Sequence, residues 1–460
     1  MKKTARNLMS VVYPRSAGID VAKDIHYVAL PADDKGRQDV RSFGGFTGDL
    51  HKMAQWLKSH GIEQVALEST GVYWISLFEV LDAGGFDVWL VNPVGLARPD
   101  RRKSDVLDCQ WIQQLMSLGM LKRSHRPVDR ICELRSYVRD RRRAIEQRSQ
   151  CVQRMQKALE QMNLKLGTVL SNIAGKTGMR IIHAIVEGER SGEALAKMRD
   201  GRVKADEAAI AAALEGNWRT EHLFSLQQAL DSYRHYDRQI EQLEVRIEQL
   251  VSRMNEADGE DDSGEADAGE GSVGAGHSGV NWKVAMRKNM HDAFGVDLTK
   301  VPGVGLETVL TLLSEVGSDF SAFPTVGQFG QWLGLAPGTN ISGAKRLSGA
   351  KSRGCQAAGQ ALRLAAVTLR RDSSLLGAAH RRRCMRMDPP RAIKASAYQL
   401  ARIIYAMVTN AREYTEEPMR AAEADRHQKK VDRLRQNALR LGLQVVDLES
   451  DDVAQFQAVA

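Results

Sequence analysis

The chain has 460 residues, enough for about three domains. Lys and Arg number 65 against 57 Asp and Glu, for a net charge of +8, and 43% of residues are hydrophobic, so a basic body with ordinary cores favours a polyanionic partner, nucleic acid above all. Five scattered cysteines (Cys109, Cys132, Cys151, Cys355, Cys384) form no CxxC or Cys/His set, and no run approaches the ~18 apolar residues of a membrane span, which argues against structural zinc, a disulfide framework and a membrane protein and fits a reducing cytoplasm.

Residues 1–16 read as a basic N-terminal arm without the apolar core of a signal peptide. Residues 17–125 read as α/β. Ala17–Val21 and His26–Pro31 are short apolar runs, a hairpin across a turn near Lys23-Asp24. Gly48–Ser59 has helical spacing in Leu50, Met53, Trp56 and Leu57. Gln64–Glu68 is a short buried-strand pattern. Trp74–Ala83 is a helix stopped by Gly84-Gly85, and Phe86–Val91 another strand. Ser104 caps a helix running to about Leu118, with Gly119 ending it.

The middle of the chain, 126–255, reads as long helix. Val138, Ile145, Val152 and Leu159 recur every seven residues, with Arg141 and Arg148 interrupting the companion seam. Tyr233, Tyr236, Ile240, Leu243, Ile247, Leu250 and Met254 step by three and four. The pair is either a helical hairpin within one chain or an oligomerising coiled coil. Ile181–Trp218 reads as a small helical insertion between them. Residues 256–280 hold eight acids and no Lys or Arg, the composition of a disordered linker; with a connector it extends to 296. A compact, mostly α domain is expected over 297–415, then a charged, helix-permissive tail over 416–460.

Four carboxylates stand out by placement. Asp20 ends the first strand in GIDVAKD, and Glu68 ends a later one in ALESTG. Asp105 and Asp108, in KSDVLDCQ, share one helix face. Hard divalent cations want such oxygen ligands, and paired metals serve phosphoryl transfer. A single strand-end Asp is more often a turn or cap residue, and an Asp-x-x-Asp pair is usually a solvated face. In the C-terminal domain, KVPGVG (Lys300–Gly305) is the pattern of a helix-hairpin-helix, with Gly303 and Gly305 letting backbone N–H groups face a phosphate. A small-residue stretch follows, carrying Ser342, Lys345, Arg346, Lys351 and Arg353; its cations suit a phosphate backbone. Ser342 taken alone is a turn residue before Gly343, since a serine hydroxyl is a weak nucleophile until activated.

GIDVAKD, ALESTGVYW, VNPVGLARPDRRKSDVLDCQWIQQLMSLGML and CELRSYVRDR, in that order and spacing, resemble the DEDD transposases of the IS-one-ten family of insertion sequences. The FGQWLGLAPGTNISGAKRLSGAKSRG stretch resembles that family's second signature block. Many members show Ser-Ser-Gly where this chain has Ile341-Ser342-Gly343, so Ser342 carries over best, with Ser348 and Ser352 as alternates. The resemblance spans roughly residues 16–415. It implies a RuvC-like (RNase H-type) domain with Asp20, Glu68, Asp105 and Asp108 holding Mg2+, two ions per composite site, and a C-terminal domain with Ser342 as nucleophile. It further implies a recombinase acting on element ends and target DNA, guided by a noncoding bridge RNA, working as a homo-oligomer (dimer or tetramer) in the bacterial cytoplasm near the nucleoid. The competing readings are a metal-dependent nuclease of the Holliday-junction type and an inactive nucleic-acid-binding relic.

Overall fold

The structure is a computed structural model that describes residues 10–69, 71–92, 104–257, 279–336, 339–342, 345–348 and 356–443. It divides into two compact units, Met1–Arg126 and Pro127–Ala460.

The first unit is built, among the described residues, on a five-stranded sheet. Its strands are β1 (Ser16–Asp20), β2 (Ile25–Ala32), β3 (Gln38–Gly44), β4 (Gln64–Glu68) and β5 (Asp87–Val91), in the spatial order β3-β2-β1-β4-β5. The first three form an antiparallel meander, and β4 and β5 continue parallel to β1. Helices α1 (Thr47–Ser59) and α2 (Trp74–Ala83) make the crossovers, and α3 (Asp105–Ser117) follows β5. This mixed sheet with flanking helices fits the expected RNase H-like α/β class. The strand β3 is new relative to the sequence reading. It is an edge strand with only Phe43 buried, so it lacks the apolar alternation that marks a half-buried strand.

Side-chain alternation sorts the sheet's two faces. Ala17, Ile19, Val65 and Leu67 share a core with Leu50, Met53 and Leu57 of α1 and Leu77 and Leu81 of α2. The alternate positions, Gly18 and Ala66, meet α3 on the other face, where Ala66 packs with Ile112, Leu115 and Met116. A Cβ on Gly18 would stand 2.5 Å from the Cys109 carbonyl oxygen and closer still to the Gln113 nitrogen. The α3 backbone therefore rests directly on β1. Buried Gln113 locks that contact: its Nε2 donates to the Ser16 carbonyl at 3.2 Å, and its Oε1 accepts from Gln38 Nε2 at 2.7 Å. Ser104 caps α3, its Oγ accepting from Leu107 N at 3.3 Å, and Gly119 past its end has φ +67°, as the sequence suggested.

The second unit is helical. The long helices α4 (Asp129–Gln161) and α9 (Thr220–Ala257) pair as an antiparallel hairpin, with α5 (Leu166–Val169), α6 (Lys176–Glu187), α7 (Gly192–Ala196) and α8 (Glu207–Ala213) between them. Those short helices and the distal parts of α4 and α9 have their own core around Leu159, Ile182, Ile210 and Leu226. At the other end, Ile247, Leu250 and Met254 of α9 join Ile131, Leu134 and Val138 of α4 in the core of the C-terminal helices. The two ends of the apolar seam are thus filled within one chain, while Tyr236 and Leu243 between them are only half-buried. Those C-terminal elements are α10 (Gly279–Phe294), α11 (Leu306–Val316), α12 (Val326–Trp332), the hairpin β6 (Thr339–Ser342) and β7 (Lys345–Ser348), α13 (Gln356–Thr368), α14 (Leu375–Cys384), α15 (Pro389–Thr409) and the exposed α16 (Glu417–Arg440). The expected acidic linker falls almost wholly outside the described residues. Its connector is a finding: α10 sends Trp282, Met286, Met290 and Phe294 into the core.

The arginine run of α4 is used internally. Arg139 grips the buried Glu315 of α11 through Nε and Nη2, at 3.0 and 2.8 Å, and Arg135 donates to the Ser314 and Glu315 carbonyls. Buried Arg141 bonds Glu244 of α9 at 2.7 Å and Glu307 of α11 at 2.9 Å, with its guanidinium 4.4 Å from the Trp282 ring centroid.

Gly18→Ala is the sharpest test of the first unit. Its methyl must displace α3 from β1, at a cost of about 1–3 kcal/mol. Urea unfolding should show the loss, and DNA cleavage should fall although no carboxylate has changed. Unaltered stability and cleavage would mean that α3 does not need this close seat.

Candidate active site

Asp20 and Glu68 are the last residues of β1 and β4, adjacent parallel strands whose preceding residues, Ile19 and Leu67, are register partners. The two-residue period puts Asp20 on the face of Gly18, and Glu68 on that of Ala66. That is the face covered by α3, whose first turn carries Asp105 and Asp108. The close seat of α3 therefore delivers two helix carboxylates to two strand-end carboxylates.

The electrostatics register the convergence. Burial, then the charges of Glu68, Asp105 and Asp108, push Asp20 up from 3.8 to about 6, against a lowering hydrogen bond from the Val21 backbone. Cys109, under the same turn, is pushed up to about 12, by burial first and Asp20 second, so it stays a thiol. The positive end of the α3 dipole offsets part of the repulsion on Asp105 and Asp108. Among the described residues no three His, Cys, Asp or Glu side chains stand close enough together to form a finished metal set. Oxygen-only donors under mutual repulsion nonetheless suit a hard divalent cation, which would relieve the potential that raises Asp20.

The C-terminal residues singled out from the sequence lie in the other unit. Ser342 ends β6 and is the register partner of Lys345, while Arg346 pairs with Ile341. The stretch expected as a loop is therefore, in its described residues, an antiparallel strand pair. Lys351, Ser352 and Arg353 lie outside the described residues; Ser348 ends β7. Gly303 has φ +83°, and a Cβ there would come within 2.7 Å of the Ala365 carbonyl oxygen, so packing against α13 already requires glycine. Gly305, at the N-cap of α11, is open. The sequence reading missed Gly18 and Gln113, which position the acids without joining them. An isolated Gly inside a strand pattern was the available sign of a close backbone approach.

A DEDD-type IS110 transposase model matches residues 17–164, and the model described as "Transposase IS116/IS110/IS902 family" matches residues 297–381. The chain carries both domains of an IS110-family transposase. No curated protein matches it. The transposase is an enzyme that cuts and rejoins DNA, and its DEDD domain implies dependence on a divalent metal. Transposases bind DNA and typically oligomerise. No helix among the described residues is long and apolar enough to cross a membrane.

The raised Asp20 gives the transposase a defined pH signature. Unfolded, this carboxyl ionises near 3.8; folded, it ionises at about 6. Between those values the folded state holds the proton more tightly, so stability is lost as pH rises through the window, and the full cost persists above it. Asp20 is partly open to solvent, and screening reduces that cost to about 1 kcal/mol. Asp20→Asn should therefore raise the melting temperature of metal-free transposase at pH 7.5, with the gain vanishing towards pH 4. Added Mg2+ should stabilise the wild type more than the variant. An equal Mg2+ response in both proteins would remove Asp20 from the metal site.

Proposed function

We propose that the chain is an RNA-guided transposase in which Asp20, Glu68, Asp105 and Asp108 hold two Mg2+ ions and Ser342 is the nucleophile. What supports this reading is that Asp20 and Glu68 end adjacent parallel strands on the sheet face covered by α3, whose first turn carries Asp105 and Asp108. Bound there, Mg2+ would polarise the scissile phosphate and stabilise the departing oxygen. The Ser342 oxygen bonds to phosphorus, its proton passes to a base, and the displaced sugar oxygen leaves with the bonding pair. The phosphoserine link conserves the bond for rejoining. Acids of one subunit work with Ser342 of another in a homo-oligomer. Lys345 and Arg346, beside Ser342 on the hairpin, and Gly305 with the open start of α11 meet DNA phosphates. Guidance by a bridge RNA and action on nucleoid DNA in the bacterial cytoplasm rest on the family resemblance.

Trapping the covalent adduct tests the mechanism. Wild type with Mg2+ and element-end DNA should yield a protein–DNA ester mapping to Ser342. Ser342→Ala should lose it while still binding DNA, and Asp20→Asn should cut at least about 100-fold more slowly, on the scale of losing one electrostatic stabiliser. Mixing the two variants should restore part of the activity. A link at Ser348 or Ser352 would move the nucleophile, and metal-dependent cleavage without any adduct would make water the nucleophile.

A further inference from the structure

The acid-bearing edge of the first unit is also its apolar edge. The carboxyl ends of β1 and β4 share this edge with the start of β2, since Asp20 is the partner of Tyr27, and with the end of β3, since Gly44 is the partner of Ile25. Phe46, the residue before α1, is 82% exposed here, and Tyr73, the residue before α2, is 43% exposed. Ile25, Val72, Ile75 and Val106 are exposed around the same edge. Among the described residues of the unit, the other exposed large apolar ones, Val11, Val12 and Met120, lie at the opposite end of α3, where Val12 N donates to the Ser117 carbonyl.

The two aromatic residues are held by built turns. The Gly45 N–H donates to the Asp24 carbonyl at 2.9 Å, and a Cβ on Gly45 would stand 3.0 Å from the Lys23 carbonyl oxygen, so the Phe46 turn is clamped to the loop after Asp20. On the other side, the Ser69 N–H donates to the Val91 carbonyl at 3.1 Å, Gly71 turns at φ +59°, and Trp74 Nε1 donates to the Gly71 carbonyl at 3.2 Å. Tyr73 is thus fixed five residues beyond Glu68.

We propose that Phe46 and Tyr73 are positioning residues that stack on unpaired DNA bases next to the scissile phosphate, so that this edge takes locally melted rather than fully paired DNA. The inference rests on reading the acids as the cleavage site. Asp20, Glu68, Asp105 and Asp108 repel a phosphate backbone at this edge until cations neutralise them. Paired B-form DNA offers the edge its phosphates and sugars, with the base faces stacked inside. Unstacked bases offer π faces, which aromatic side chains bind without sequence preference and without the salt dependence of phosphate contacts.

The test uses the full chain and two labelled duplexes carrying 5-iodo-deoxyuridine, one fully paired and one with a six-base mismatch bubble. Ultraviolet irradiation should cross-link the bubble, and not the paired DNA, to peptides containing Phe46 or Tyr73. Phe46→Ala with Tyr73→Ala should weaken bubble binding about tenfold or more at 0.3 M salt, on the scale of aromatic–base stacking, leaving the salt slope unchanged. Tyr73→Trp in place of Tyr73→Ala should restore binding. Cross-links confined to other peptides, or equal affinity of variant and wild type, would overturn the proposal. So would a change in particle mass by light scattering with DNA binding intact, which would mean that a protein surface covers the rim. Asp20→Asn separates this idea from the reading beneath it. Rim cross-links with undiminished Asp20→Asn cleavage would mean that the acids are misread and that the rim is no part of a cleavage site. Cleavage that needs Asp20 without rim cross-links would sink the rim alone.

Discussion

The first unit depends on one steric allowance: the missing side chain at Gly18. Helices normally stand off a sheet by the thickness of two side-chain layers. Here α3 comes down until the backbone at Cys109 and Gln113 lies where a Gly18 methyl would be, and Gln113 locks the seat by bonding the Ser16 carbonyl. The approach of the first turn of α3, with Asp105 and Asp108, to the strand ends follows from this proximity. With a bulkier residue at position 18, Asp105 and Asp108 would still sit in the first turn of α3 behind the Ser104 cap, but farther from Asp20. Asp20 is raised by its burial first and then by the charges of Glu68, Asp105 and Asp108.

The second unit solves a different problem with charge. A long helix as arginine-rich as α4 invites a nucleic-acid reading, yet several of its guanidiniums face inward. Arg139 and Glu315 are bidentate, and Arg141 joins Glu244, Glu307 and the Trp282 ring. Such pairs add little net stability over apolar packing, but losing one partner leaves a buried charge. They therefore act mainly on arrangement, fixing which helices meet and in what register.

Much of this was legible beforehand, for physical reasons. β4 and α2 coincide with Gln64–Glu68 and Trp74–Ala83 as read from the sequence, because β4 is a short apolar run buried on both faces and α2 is half-buried at helical spacing. The β1–β2 hairpin and the Ser104 cap followed from alternation and a capping side chain. The rest was hidden where periodicity fails. β3 is an exposed edge held by backbone pairing. α10 stands behind a polar stretch that masks its buried face, and the β6–β7 hairpin is too short to show a period. For the acids, strand-end placement was readable in Asp20 and Glu68, but their meeting with Asp105 and Asp108 is a tertiary fact that spacing alone does not carry.

The α4–α9 pair has a mechanical consequence. A 33-residue helix reaches about 50 Å at 1.5 Å per residue. It joins two separate cores, one among the C-terminal helices and one around the short helices at the far end. Between them the ion pairs Arg141–Glu244 and Arg148–Asp237 tie the strut against shear. A beam of that length and stiffness turns a tilt of about 5° at its root into a swing of roughly 4 Å at its tip, so small repacking around Trp282 and Glu307 is geared up into a displacement the size of a side chain.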